Sequence, residues 1–303
     1  MGHNHGGAGV AHRSRLAVVL ALTVAVLVVE AVTAWFTGSL ALLADAGHML
    51  SDAFGLAMAL GAITVAQRGG GPGSRRSFGN HRTEILAAAA NALLLLGLAL
   101  WIAASAVGRL AEAPQIDGTL MIAAGVLGLG ANGVGLYLLR PGAGQSLNVK
   151  GAYLEVLGDA FGSVAVIVAA GIIMVTGWNA ADAVASLVIA ALIVPRAISL
   201  LWDVVEVLLE STPRGIDLGE LRTHIVGIDG VQDVHDLHVW TITSGMPVMS
   251  AHVVVDESVC EFGHSGIILD RLRGCLSEHF DVEHSTFQIE PEGHANKEDH
   301  IHH

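Results

Sequence analysis

Six apolar runs, at about 16–36, 39–66, 85–108, 118–139, 150–176 and 181–208, leave this chain few folds to choose from. Each is long enough to cross about 30 Å of hydrocarbon at about 1.5 Å per residue. Inside lipid every backbone N–H and C=O must find its partner within the protein, and a helix achieves this inside a single segment. The expected fold is therefore an α-helical membrane protein with six transmembrane helices. Composition agrees, because 52% of the 303 residues are hydrophobic, 14% are charged and the mean hydropathy is +0.60. No ordinary soluble domain of this size has that balance. Arg13 and Arg15 ahead of the first run resemble the start of a signal peptide. An uninterrupted run of this length without a convincing cleavage site fits a first membrane helix better.

The basic residues orient the bundle. Arg13 and Arg15 precede the first run, Arg68, Arg75, Arg76 and Arg82 lie between the second and third, Arg140 and Lys150 flank the fourth connection, and Arg214 follows the sixth run. The alternate connections, 37–39, 109–117 and 177–180, contain only Arg109. The positive-inside rule then puts both termini in the cytoplasm; the expected location is the cell's inner (plasma) membrane.

After "STPRGID" (211–217) the hydropathy falls and the periodicity changes. Residues 217–227 read as a helix, 231–243 and 248–256 as strands, 263–280 as an amphipathic helix and 285–290 as a strand. That order, αββαβ, suits a small cytoplasmic α+β domain. The expected organisation is a histidine-bearing tail at 1–15, the membrane domain at 16–210, the cytoplasmic domain at 211–292 and a histidine-rich tail at 293–303. The tails read equally as metal-attracting segments or as solvated ends. The net charge of −13 comes mostly from the part after residue 200 and argues against nucleic acid as a partner. Cys260 and Cys275 form no CxxC pair and read as reduced core thiols.

Within the apolar runs lie residues that do not belong in lipid without a purpose. His48 and Asp52 are four apart, as are Glu155 and Asp159, so each pair occupies one helix face. A charge at the bilayer centre costs roughly 3 kcal/mol or more, so a partner or an ion is required. The second run descends from outside and the fifth rises from inside. At about 1.5 Å per residue, Asp159 then falls near the depth of His48 and Glu155 near that of Asp52. Gly47, Gly55, Gly158 and Gly162 beside these pairs would allow close helix approach. Two antiparallel helices can thus present one imidazole and three carboxylates to a single point, a donor set suited to a divalent metal. Asp45 shares the first face and reads as a support for the ligands more than as a ligand. Glu30 reads as a protonated or helix-bonded carboxyl, and Asn91 and Asn132 as hydrogen-bonding links between helices.

The stretches "GSLALLADAGHMLSDAFGL" (38–56), "SFGNHRTEILAAAANALLLL" (77–96), "SLNVKGAYLEVLGDAFGSVAVIVAA" (146–170) and "VHDLHVWTITSGMPVMSAHVVV" (234–255) together resemble the cation diffusion facilitator family, close to its bacterial zinc, cadmium and cobalt exporters. The resemblance runs from about residue 13 to 291. It implies a homodimeric exporter of a cytoplasmic divalent cation in exchange for protons. The transport site would lie between helices two and five, at His48, Asp52, Asp159 and position 155. Near relatives are expected to carry histidine at that last position, where this chain has Glu155. The resemblance also implies a charge pair, Arg82 with Glu210, at the dimer interface. A loop metal site near "NHR" (80–82) would be lost or altered by Asn80. The cytoplasmic domain would be metallochaperone-like, with His235, His252, His264 and Glu290 as candidate metal ligands, and Gln288 a poor one. His238, three after His235, is expected on the opposite face of its strand.

Replacing a neutral imidazole by the carboxylate of Glu155 shifts preference toward harder ions. Zinc remains the first expectation, manganese or iron becomes a live alternative, cobalt stays among the candidates, and cadmium is less comfortable than it would be with two imidazoles. No bound cofactor is expected, because the divalent ion is cargo. There is no P-loop for ATP-driven transport, and neither HExxH nor a nucleophile elbow, so an enzyme is not expected. A non-transporting membrane metal sensor is a remote alternative, since it would have no need of intramembrane ligands.

Overall fold

The computed structural model describes residues 6–66, 77–141, 147–256, 259, 265–280, 282 and 284–294, with side chains excluded at 6–17, 55–66, 147–151 and 277–279. His264, Cys260, the histidines at 3–5 and residues 295–303 lie outside the described residues.

The chain forms two compact units. The first is built from long helices: α1 (Gly6–Thr37), α2 (Leu40–Ala66), α3 (Arg82–Arg109), α4 (Gly118–Leu139), α5 (Leu147–Thr176) and α6 (Ala180–Leu208). Five of these have a described stretch long and apolar enough to cross a membrane. The sixth, α2, is 27 residues long, although its side chains are described only as far as Phe54. Helix α1 starts at Gly6, ahead of the apolar run at Leu16, so residues 6–15 of the expected tail are helical.

Two connections on one side of the bundle are built alike. Helices α1 and α5 end in Thr-Gly, with Gly38 and Gly177 at φ of 70° and 71°, a left-handed conformation that glycine adopts without penalty. Thr37 and Thr176 donate their hydroxyls to the carbonyls of Thr33 and Ile172. Immediately beyond Gly38, α2 begins at Leu40, and its first N–H groups are met from another helix. The Asp182 carboxyl accepts from Ser39 Oγ at 2.5 Å, Leu40 N at 2.9 Å and Ala41 N at 3.2 Å. Asp182 is 1% exposed, so this cap fixes the start of α2 against α6 from inside the bundle.

The interior is lined by small side chains, among them Ala41, Ala44, Ala99, Ala106, Ala170 and Ala197. Helix α4 lets α5 approach closely through glycine. A Cβ added at Gly125 would lie 2.9 Å from Ile167 Cγ1, and one at Gly118 would lie 2.7 Å from Met174 Cγ. Polar links join the helices where the sequence places asparagine. Asn91 Nδ2 of α3 donates to Ser51 Oγ of α2 at 2.9 Å, and Asn132 Nδ2 of α4 to Ser163 Oγ of α5 at 3.4 Å.

The second unit contains α7 (Leu218–Val226), β1 (Val231–Thr241), β2 (Pro247–Val255), α8 (Ser265–His279) and β3 (His284–Pro291). Asp217 caps α7 by accepting from Gly219 N and Glu220 N. The sheet order is β1-β2-β3, with β1 antiparallel and β3 parallel to β2. Met249, Ala251, Val253 and Val255 of β2 point into a core closed by Leu221 and Ile225 of α7 and Ile268, Leu272 and Leu276 of α8. The other face of the sheet carries its histidines.

Candidate metal centre

Helices α2 and α5 bring three of the four expected intramembrane ligands together. His48 Nε2 lies 3.4 Å from Asp159 Oδ1 and 3.7 Å from Asp52 Oδ2. One ligand atom from each of His48, Asp52 and Asp159 falls within 4.8 Å of the others, close enough for a single ion to touch all three. The side chains are 12%, 11% and 3% exposed, respectively. Asp52 Oδ2 and Asp159 Oδ1 are buried without any hydrogen-bond donor. Leaving buried acceptors bare is costly unless something electropositive fills the gap. Beside the two carboxylates is a cavity of about 40 Å³, lined by Leu20 and Thr23 of α1 together with Asp52, Glu155 and Asp159. One imidazole nitrogen and two carboxylate oxygens form a donor set of the type that zinc accepts.

The glycines divide the work differently from the expectation of shared helix approach. Gly162 lets α5 close on α2, since a Cβ there would sit directly against Asp45 Oδ1. Gly158 faces open space, and Gly47 packs on Leu98 of α3 instead. The surroundings of Gly55 lie outside the described residues.

Asp45 does not join the three-ligand cluster. It is 1% exposed, bonded by the Ser163 hydroxyl, and its Oδ2 has no donor. Glu30 of α1 is fully buried, and neither carboxyl oxygen has a hydrogen-bond partner, so the helix-bonded arrangement expected for it is not formed. A Cβ at Gly128 of α4 would lie 2.6 Å from Glu30 Oε1 and 3.0 Å from Ser163 Oγ, which explains why that position has no side chain.

Glu155 also stands outside the cluster, held by a residue that sequence reasoning passed over. Arg196, on α6 just after Pro195, puts Nη2 at 2.9 Å from both Glu155 Oε1 and Asp52 Oδ1, and Nη1 at 3.2 Å from His48 Nε2. Guanidinium nitrogens only donate, so His48 Nε2 accepts and the imidazole proton belongs on Nδ1. The signal was in the sequence: Arg196 is a lone cation well inside an apolar run. The cost rule that flagged Asp52 applies to it equally.

The second unit gathers another cluster. Glu290 of β3, 1% exposed on the otherwise open face of the sheet, lies 3.1 Å from His235 Nε2 and 2.8 Å from His252 Nδ1. Gln288 Nε2 donates to the same carboxyl at 2.7 Å. His235, Asp236 and His252 each offer a ligand atom within 4.8 Å of the others. His238 does not sit opposite His235 as strict alternation requires. The register passes from His235↔His252 to His238↔Ser250, so β1 carries one extra residue, at a bulge where Asp236 has φ of 45°. Residues 250 and 252 share a face, so His235 and His238 do too. Arg82 Nη2 and Glu210 Oε1 are 2.7 Å apart within one chain, both substantially exposed. Asn80 and His81 lie in the turn leading into α3.

These observations define a multi-pass membrane protein with a buried, ion-sized ligand cluster and a separate α+β unit. Residues 16–209 match the cation efflux transmembrane domain and residues 213–292 the cytoplasmic domain of cation efflux proteins; the chain belongs to the cation efflux, or cation diffusion facilitator, family. It is 44% identical over 289 residues to the metal cation efflux system protein CzcD of Cupriavidus metallidurans, covering 95% of this chain and 90% of that protein. It is 37% identical to the cadmium, cobalt and zinc/H(+)-K(+) antiporter of Bacillus subtilis, covering 97% and 93%. With the zinc transporter ZitB of Escherichia coli the identity is 38%, over 95% and 93% of the two chains. Among solved structures, the metal-bound C-terminal domain of the CzcD transporter from Cupriavidus metallidurans is 37% identical, covering 25% of this chain and 99% of that one, with a TM-score of 0.23.

Proposed function

We propose that this protein exports a divalent metal cation, zinc foremost, from the cytoplasm in exchange for protons, through the site formed by His48, Asp52 and Asp159. The observation that carries this reading is the convergence of one imidazole nitrogen and two donor-free carboxylate oxygens inside a membrane bundle. Its relatives are named for zinc, cadmium and cobalt efflux, which supports the same cargo here. Metal binding requires these carboxylates unprotonated and the imidazole neutral, so an arriving ion releases protons and returning protons release the ion. One site visited alternately from each side then couples the two fluxes. The protein works as a homodimer in the inner (plasma) membrane, with both termini cytoplasmic, and performs no covalent catalysis. Manganese or iron is the second reading, favoured only by the carboxylate of Glu155. The ion pair of Glu155 with Arg196 already matches that charge, and this keeps zinc first.

The test is metal uptake by the full chain in proteoliposomes with and without an imposed pH gradient, across zinc, cadmium, cobalt, manganese and iron. The expected result is gradient-driven uptake with zinc preferred. Uptake indifferent to the gradient would overturn the exchange, and a preference for manganese would overturn the cargo.

A further inference from the structure

The ion-sized cluster already contains a cation belonging to the protein. Arg196 is bonded to two of the three atoms groups that a metal would need, the Asp52 carboxyl and His48 Nε2, and its third partner is Glu155. We infer that Arg196 is a built-in competitor of the transported metal, and that Glu155 is the anchor that holds its guanidinium when the metal takes its place. The inference rests on the transport site proposed above and assigns its selectivity-bearing position a different task.

The geometry distinguishes the two roles available to Glu155. A ligand's carboxylate would converge with those of Asp52 and Asp159, but among the described residues the ion-sized cluster comprises His48, Asp52 and Asp159. The Glu155 side chain is 48% exposed, against 3% for Asp159, and its Oε1 is engaged by Arg196 Nη2 at 2.9 Å. The same Nη2 is 2.9 Å from Asp52 Oδ1, so it bridges the two acids. A divalent ion entering between His48 and Asp52 meets a positive guanidinium there. Two cations cannot share those oxygens in a medium of low dielectric, so Arg196 must give way. Glu155 already holds the same nitrogen, and a rotation about the long arginine stem keeps that pair while freeing Asp52 and His48. Pro195 removes a backbone N–H from α6 just before Arg196, a local weakness at which the helix can adjust. When protons or the opposite-facing conformation loosen the metal, Arg196 returns and blocks rebinding.

Such a competitor weakens apparent affinity by the fraction of molecules in which the site is free. If that fraction is about one in ten, removing the competitor lowers the apparent Kd by about tenfold. Tighter binding is the opposite of what loss of a merely structural arginine would cause. Release also slows when nothing displaces the ion.

The experiment measures initial zinc uptake into proteoliposomes at graded zinc concentrations, for the native chain, Arg196→Gln, Glu155→Gln, the double variant and Asp159→Ala. The inference expects Arg196→Gln to lower both KM, by about tenfold, and kcat. Glu155→Gln should raise KM, because the guanidinium then has only the metal's own ligands to bind. In the Arg196→Gln background, Glu155→Gln should leave KM unchanged, since there is no guanidinium left to hold. A rise in KM from Glu155→Gln in both backgrounds would make Glu155 a ligand and overturn the inference, as would a raised KM for Arg196→Gln alone. Were Arg196→Gln not recovered as folded dimer, Glu155→Gln decides by metal profile. An equal rise for zinc, cadmium and manganese supports the anchor, and a changed rank order overturns it. Asp159→Ala separates the two levels: its unaltered uptake would sink the transport site itself, whereas its loss of uptake leaves the Arg196 arms to judge the inference alone.

Discussion

Helix α2 carries His48 and Asp52, and its entry into the bundle hangs on one carboxyl from α6. Replacing Asp182 by alanine removes the acceptor for Ser39 Oγ, Leu40 N and Ala41 N together. Hydrogen bonds to an ionised group contribute about 1.5–3 kcal/mol each, and a buried donor left bare costs about 1–3 kcal/mol. A negative group at a helix start adds about 0.3–1 kcal/mol from the backbone dipole. These terms overlap in one network, so their simple sum is too large. A loss of about 3–5 kcal/mol is the reasonable expectation for a cap that is 1% exposed. Spread over a unit of this size, that lowers the apparent melting temperature by about 10 °C. Asp217→Ala provides the control. Asp217 caps its own helix, α7, accepting from Gly219 N at 2.7 Å and Glu220 N at 3.0 Å, but is exposed to solvent. Its removal should cost about 1 kcal/mol. Thermal unfolding of detergent-purified protein, followed by tryptophan fluorescence and circular dichroism, compares the two. If Asp182→Ala melts no lower than Asp217→Ala, burial does not amplify the cap and the reasoning fails.

Gly128→Ala should destabilise by about 1–3 kcal/mol through overpacking against Glu30 and Ser163, while Gly130→Ala, whose Cβ meets open space, should stabilise α4 by up to about 1 kcal/mol; opposite shifts in melting temperature check the pair. Arg82→Ala should cost no more than about 1 kcal/mol in unfolding, because both partners are exposed; a dimer that dissociates on that substitution, measured by analytical ultracentrifugation, would place the pair at the interface. His252→Ala should destabilise the cytoplasmic unit by about 1–3 kcal/mol, since it strips one of the groups around the buried Glu290 carboxyl; limited proteolysis and unfolding scans would register the loss.

Much of this architecture is legible in the sequence because lipid makes hydropathy nearly sufficient. Apolar runs of membrane length, separated by "TGS" and "TGW", mark helix ends where Gly38 and Gly177 turn the chain. The four-residue spacing of His48 and Asp52 and the depth of Asp159 also point to one place before any coordinates are known. Where strict periodicity failed, a local event intervened. His238 changed faces because Asp236 adopts a left-handed conformation and inserts a bulge, a choice that neighbouring strands impose and that alternation alone does not reveal. Asp182 reads as one polar residue near the start of a span; only the packing of α6 against α2 turns it into a cap. Arg196 is the instructive omission. A cation inside an apolar run costs as much in lipid as a carboxylate does, and Arg196 meets that cost by pairing with Asp52 and Glu155. Arg196 also accounts for where the Glu155 carboxyl rests, 2.9 Å from its guanidinium.

The central claim is that the ion carried across the membrane is held by the donor-free oxygens facing His48. Asp159→Asn tests it most directly, because it preserves shape while removing the anionic ligand at the most buried corner of the cluster. Zinc uptake by proteoliposomes under a pH gradient should fall to the level of protein-free vesicles, with the variant still eluting as the native assembly and melting within a few degrees of it. Uptake at the native rate and with the native KM would contradict the assignment of His48, Asp52 and Asp159 as the transport site.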